Sequence, residues 1–225
     1  MSGPVGRLKE RDKMSSTIMQ IPPEAIEAES FRIIAEELGP TSFDHRTFKV
    51  VQRVIHATGD FSFAESLIFH PQAIEAGIAA IRTGRNILTD VNMGAAGVSK
   101  GLLVSFGGRV ICKVAEPETA RLAKEGGLTR SEVAIEKGLA EDIGIVSVGN
   151  APTALLKVMA CRDGLAENLR PALLVGVPVG FVNAAESKEL LSEKSYPFIT
   201  CRGRKGGTPV AVAIVNALIR LAGEE

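Results

Sequence analysis

The feature that most constrains the fold is the alternation of short apolar runs with helical patterns from residue 86 onward. The runs are rich in β-branched residues and almost continuous, as is typical of strands covered on both faces of a sheet. Helical patterns begin near Pro117, Ser131, Pro152, Ala184 and Thr208. The predicted strands cover residues 86–91, 109–115, 143–148, 172–177 and 197–201. This alternation predicts an α/β fold with a doubly wound, mainly parallel five-stranded sheet and helices on both faces.

The part of the chain before this alternation is predicted to be helical. Segments 21–38, 44–57 and 71–83 carry apolar residues at helical spacing, and Asp44 is placed as the N-cap of the second. The first twenty residues are mostly polar and charged and lack any periodicity, which predicts a flexible tail. We therefore expect a tail over residues 1–20 and a single domain over residues 21–225 that begins with a helical segment.

Composition and missing motifs exclude several classes of function. Lys and Arg total 26 and Asp and Glu total 26, so no net positive charge favours nucleic acid. The sequence lacks a Walker loop, a GxGxxG fingerprint, a GxSxG elbow and any HExxH or Cys/His cluster, which predicts neither a nucleotide cofactor nor a protein-held metal. Cys112, Cys161 and Cys201 are odd in number and widely spaced. Free thiols, with no signal peptide or membrane-length apolar run, predict a cytoplasmic protein without membrane contacts.

Segments rich in Gly, Pro and small polar residues follow four of the predicted strands. In open parallel sheets, ligands bind beyond the carboxyl ends of the strands, so these segments are candidates for a site. Asp90 ends the first strand, and Asn150 follows the third. The fifth strand runs into RGRKGGT, a loop that contains Arg202, Arg204 and Thr208 and has three cations within four residues. Before a helix, such a loop is suited to bind carboxylate or phosphate, although a solvated basic loop would have the same composition.

One of the three histidines lies at the end of an apolar helical run, in RVIHATGD (53–60). Imidazole titrates near neutral pH, so His56 is able both to donate and to accept a proton. Arg53 lies three residues earlier and therefore on the same side of the helix, where it would bring positive charge to an anionic ligand. From the sequence pattern alone, a histidine at a helix end is more often a structural C-cap or a core residue.

These motifs together resemble the precorrin-8X methylmutase family of cobalamin biosynthesis. The resemblance extends from about residue 24 to the C-terminus, with the motifs in the same order and at the same spacing. Its two longest motifs are specific to the family. The motifs are ESFRII (29–34), RVIHATGD (53–60), TDVNMGAAGV (89–98), LTRSEVA (128–134), SVGNAPTAL (147–155), VGVPVGFVNAAESKELL (175–191) and RGRKGGTPVAVAIVNAL (202–218).

The resemblance implies an isomerase that moves a methyl group from C11 to C12 of precorrin-8X or cobalt-precorrin-8. The product would be hydrogenobyrinate or its cobalt-containing counterpart, with no cofactor required. The family fold is a doubly wound α/β sheet, and the family works as a homodimer with pockets near the subunit interface. By the same resemblance, His56 is the catalytic acid/base and Ser30, Arg53 and Arg130 bind the substrate. Further pocket positions implied by family motifs are Asp90, Asn150, Arg202, Arg204 and Thr208.

Two other functions stay open from the sequence. A corrinoid-binding carrier would need the same cleft and the same arginines, but it would not need a titrating His56. An acyl hydrolase that uses Ser30 with His56 is disfavoured, because Ser30 lies inside a predicted helix without a sharp turn beside it. The sequence does not distinguish a metal-free substrate from a cobalt-containing one.

Overall fold

The computed structural model describes residues 20–224, so the predicted tail over residues 1–20 lies outside the described residues except for Gln20. A six-stranded sheet forms the centre of the molecule, with the strand order β1-β6-β5-β4-β2-β3. Strands β2 to β6 run parallel to one another, and β1 pairs with β6 in the antiparallel direction. The strands are β1 (Leu67–Phe69), β2 (Asn86–Thr89), β3 (Val110–Ile111), β4 (Ile143–Val148), β5 (Leu173–Gly176) and β6 (Phe198–Cys201).

Eleven α-helices accompany the sheet in the described part of the chain. Asp44 caps α2 as predicted, since its side chain accepts hydrogen bonds from the backbone N–H groups of Arg46 and Thr47. Thr129 and Glu132 form a capping box at the start of α8. The helices are α1 (Ile26–Leu38), α2 (His45–Thr58), α3 (Phe63–Ser66), α4 (Ala73–Arg82), α5 (Asn92–Gly97), α6 (Lys100–Val104), α7 (Pro117–Gly126), α8 (Arg130–Gly138), α9 (Pro152–Arg162), α10 (Ala184–Ser192) and α11 (Thr208–Ala222).

The predicted α/β sheet with helices on both faces is confirmed, but the predicted number of five strands is wrong. The sixth strand, β1, has only three residues, too few to show a period in the sequence. It pairs through the register Leu67 to Cys201, a contact across more than a hundred residues that no local pattern reveals. The short helices α3, α5 and α6 were also not predicted.

Two apolar cores lie on the two faces of the sheet, because successive side chains of each strand point in opposite directions. Ile145 of β4 packs with α2, α4 and α11 on one face. Val146, the next residue, packs with α8, α9 and α10 on the other face. Helix α1 packs on the outside of α2 and so forms a third layer there. Within residues 20–224 there is no helix whose length and hydropathy would let it span a lipid bilayer.

Candidate functional site

His56 lies in the last turn of α2, with its side chain exposed to solvent. The helix ends two residues later because Gly59 adopts a left-handed conformation (φ 64°) and its N–H caps the carbonyl of Ile55. Val54 and Ile55 are buried against the core, which turns His56 and Arg53 outward. The amphipathic pattern of α2 therefore presents the imidazole at the surface, and a core role for His56 is wrong.

A groove between α2 and α11 borders the imidazole. It has a volume of about 240 Å³. Asn216 organises one wall, since its side-chain N–H donates to the carbonyl of Gly97 (3.0 Å) and its oxygen accepts from the N–H of Ser99 (2.8 Å). We call this the α2–α11 groove; its lining residues are Arg53, His56, Ala57, Pro209, Val212, Ala213 and Asn216.

Two residues of α1 hold the His56 and Arg53 side chains. Glu27 accepts two hydrogen bonds of 3.1 Å from the Arg53 guanidinium. The Phe31 ring lies 4.8 Å from that guanidinium and makes an edge contact with the His56 ring at 5.3 Å between centroids. Because Glu27 and Phe31 are four residues apart, they lie on one face of α1 and contact neighbouring side chains of α2.

The groove carries a fixed positive charge that is balanced by Glu27. Hydrogen bonds from Arg53 lower the pKa of the Glu27 carboxyl, with a further contribution from Arg220. The Arg53 side chain is 15% exposed, and it lines the groove. A ligand carboxylate that enters the groove would compete with Glu27 for Arg53, because both match the planar guanidinium.

The RGRKGGT loop, residues 202–208, lies next to the C-terminal end of α2. The Lys205 ammonium forms an ion pair with Asp60 (2.6 Å) and donates to Ser62 Oγ (3.0 Å). Gly206 has a φ of 150°, and a Cβ atom there would lie 2.3 Å from the carbonyl oxygen of Val177. The glycines therefore let the loop pass close to the end of β5.

Two exposed arginines belong to this loop, and exposed apolar side chains lie near one of them. Arg202 and Arg204 are both solvent-exposed, and the guanidinium of Arg204 lies 5.4 Å from the centre of the Phe181 ring. Phe181 is 83% exposed and Val182 is 78% exposed, which is unusual for large apolar residues. Such a mixture of cations and flat apolar surface suits a large ring with a carboxylate fringe.

Asp90 is buried, with 1% of its surface exposed. It follows β2, and its carboxylate accepts backbone hydrogen bonds from Gly149 (3.3 Å), Asn150 (2.8 Å) and Ala151 (2.8 Å), which follow β4. Burial raises the pKa of the Asp90 carboxyl, and the three N–H donors act in the opposite direction. This contact joins the segments that follow β2 and β4, between which the strand order reverses. Ligands bind at that point in many open α/β sheets.

The other predicted residues lie on α1, α8, α11 and the segment that follows β4. Ser30 Oγ donates to the carbonyl of Ile26, so the hydroxyl is used within its own helix. Arg130 and Asn150 are exposed on the α8 and α9 side, where the hydroxyls of Thr129 and Thr153 lie 3.0 Å apart. Thr208 is buried at the start of α11. Arg130 is not one of the residues that line the α2–α11 groove.

Sequence reasoning missed Glu27, Phe31 and Asn216 as parts of this site. Glu27 and Phe31 belong to a different helix, and only the packing of α1 on α2 brings them to His56. Asn216 did give a signal, since it interrupts the apolar run of the last helix. Within the described chain, no three His, Cys, Asp or Glu side chains cluster in a way that would hold a metal ion.

Comparisons with known proteins agree with this architecture. The family model described as precorrin-8X methylmutase matches residues 25–221. A cobalt-precorrin-8 methylmutase of Priestia megaterium is 44% identical over 206 residues, which cover 91% of this chain and 90% of the relative. A precorrin-8X methylmutase of Pseudomonas aeruginosa is 43% identical over 87% of this chain and 94% of its own length.

A solved structure of a precorrin-8X methylmutase from Thermus thermophilus has the same fold. It superposes with a TM-score of 0.79 and 44% sequence identity, over 88% of this chain and 98% of that chain. The range that the family model matches, residues 25–221, includes every segment that forms the groove, the basic loop and the Asp90 contact. The chain belongs to the precorrin-8X methylmutase family of isomerases in cobalamin biosynthesis.

Proposed function

We propose that the chain moves a methyl group from C11 to C12 of precorrin-8X or cobalt-precorrin-8, with His56 as the acid/base. The observation that carries this proposal is an exposed imidazole at the α2–α11 groove, next to a guanidinium fixed by Glu27. The names of the relatives support the substrate, and the single domain over residues 21–225 would carry the whole reaction.

The reaction needs one proton and no external group. His56 donates a proton to the conjugated macrocycle, which draws electron density away from the migrating methyl group. The bond from the methyl carbon to C11 breaks as the bond to C12 forms, and the proton then returns to the imidazole. Substrate and product have the same composition, so neither an oxidant nor a methyl donor is consumed.

Substrate recognition would combine a flat apolar surface with arginines at the rim. Arg53, Arg130, Arg202 and Arg204 would bind peripheral carboxylates, while Asn150 and the Ser30 side of α1 would line the pocket. The buried residues Asp90 and Thr208 would hold the main chain beneath this pocket. The groove of about 240 Å³ is small beside the roughly 300–1,000 Å³ of ordinary ligand pockets. In the predicted homodimer, a second copy of the chain would add a further wall to this groove. The cytoplasmic location stays a prediction.

The visible spectrum over time tests the reaction. The protein at one-hundredth of the substrate concentration is mixed in turn with precorrin-8X and with cobalt-precorrin-8. An isomerase converts all of the substrate, and the faster of the two conversions shows whether the metal-free or the cobalt-containing substrate is preferred. A spectral change that stops at one equivalent of protein would instead identify the corrinoid-binding carrier and contradict the proposal.

A further inference from the structure

Lys188 of α10 is buried at the base of the basic loop, and the reaction proposed above does not use it. The residue is 1% exposed, which is rare for a lysine. Its ammonium donates to the carbonyl of Lys205 at 2.5 Å and contacts the Cys201 sulfur at 3.6 Å. The Cys201 thiol also donates to that same carbonyl, at 3.2 Å.

The partners of Lys188 are neutral, since no carboxylate among residues 20–224 forms an ion pair with it. Burial accordingly lowers the pKa of its ammonium, and only Cys201 acts in the opposite direction. A buried amino group without a counter-ion does not stabilise a fold as well as an apolar side chain of the same size. The residue therefore requires an explanation other than overall stability.

Lys205 is held at two separate points. Lys188 and Cys201 bind its main-chain carbonyl from inside, and Asp60 and Ser62 bind its side chain from outside. Two further backbone contacts tie the loop down: the N–H of Gly207 donates to Val177 (2.8 Å), and the N–H of Gly180 donates to Arg204 (3.2 Å). The inner anchor is the main-chain carbonyl of Lys205, the residue directly after the exposed Arg204.

We propose that Lys188 is a positioning residue that fixes the main chain of the basic loop, so that Arg202 and Arg204 point to the carboxylates of a corrinoid. This inference rests on the proposed function for its ligand, but the loop positioning itself is independent of any reaction. Lys188 does not contact the ligand; it acts through the carbonyl of Lys205.

Amide hydrogen exchange of the protein alone tests the positioning. In Lys188→Met, the amide of Gly207 should exchange roughly tenfold faster or more, while amides of β4 keep their protection. Lys205→Met removes only the outer anchor and keeps the main-chain carbonyl, so it should change this rate by less than about threefold. Lys194→Met, the same change at a side chain without a hydrogen bond among the described residues, is the matched control. Unchanged exchange in Lys188→Met, or a larger effect in Lys205→Met, would overturn the proposal.

Steady-state kinetics test the consequence for the ligand. Lys188→Met should raise KM for precorrin-8X by roughly tenfold and leave kcat within about threefold, because ground-state binding is lost. Lys188→Gln, which keeps N–H donors on a shorter stem, should show a smaller rise and serves if the Met variant fails to fold. Faster loop exchange with an unchanged KM would overturn the role in binding. If the wild type itself shows no isomerisation, the proposed function fails, and the exchange result still decides whether Lys188 fixes the loop.

Discussion

The Asp90 contact and the α2–α11 groove lie at the same edge of the sheet, but their polar groups are used in opposite ways. At the point where the strand order reverses, the buried Asp90 carboxylate accepts hydrogen bonds from three backbone N–H groups. In the groove, His56 has an exposed ring, and Arg53 is held by a partner that a ligand carboxylate is able to replace.

Under the proposed function, the general rule for open α/β sheets locates the edge of the sheet where the ligand binds, but not the opening that it enters. The carboxylate of Asp90 lies at the point where the strand order reverses. The proposed ligand site is therefore the groove where α2 and α11 meet. The polar groups of the Asp90 contact are hydrogen-bonded to one another, which gives that region a structural role. The α2–α11 groove has an exposed imidazole, which makes it the candidate for chemistry.

The largest effect on stability is expected at Asp90. Asp90→Ala leaves one buried and two partly buried N–H groups without an acceptor and should lower the free energy of unfolding by roughly 3 kcal/mol. Urea denaturation measures this loss. Asp142→Ala, which removes an exposed partner of Arg85, is the control and should cost about 1 kcal/mol or less. Similar losses in the two variants would remove the distinction between the two regions.

A smaller loss is expected where the basic loop passes β5. Gly206→Ala places a methyl group against the carbonyl oxygen of Val177 at a φ of 150°, and should cost roughly 2 kcal/mol. Gly203→Ala is the matched control, since it has a positive φ but no atom within 4 Å of the added carbon. Its cost should be about 1 kcal/mol, from the backbone strain alone. Thermal denaturation of the pair checks this, and equal losses would show that the loop is not packed closely there.

Loss of the contacts that Phe31 of α1 makes with His56 and Arg53 should affect turnover more than stability. Phe31→Leu removes the ring that contacts both His56 and Arg53, and kcat for the methyl shift should fall roughly tenfold because the imidazole loses its orientation. Phe43→Leu makes the same chemical change against the same core and should leave kcat within about threefold. An equal decrease in both variants would assign the effect to general packing.

The smallest effect concerns the ion pair between the groove side and the basic loop. Lys205 holds the pKa of the Asp60 carboxyl at about 2, below its usual 3.8. Because the folded-state value is lowered, the pair stabilises the fold above about pH 4, and this contribution is lost as the pH falls towards 2. The stability difference between the wild type and Lys205→Met should therefore shrink over that range. A difference that stays constant from pH 7 to pH 2 contradicts the assignment.

The sequence predicted the regular parts of the molecule and the two motifs that carry His56 and the basic loop. Local patterns were sufficient there, because helix caps and buried strands depend on neighbouring residues, as at Asp44 and β4. The rest depends on packing between distant segments. The contact of Glu27 with Arg53, the closure by Asp90 and the pairing of β1 with β6 all join residues that no local period relates.

The central claim is that His56 in the α2–α11 groove, and not the Asp90 contact, supplies the proton for methyl migration. Its most direct test is single-turnover conversion of precorrin-8X by His56→Gln, with hydrogenobyrinate affinity measured on the same sample. We expect the rate of methyl migration to fall by roughly 10²–10⁴-fold, while the affinity changes less than about threefold. A rate within about threefold of the wild type would contradict the role of His56.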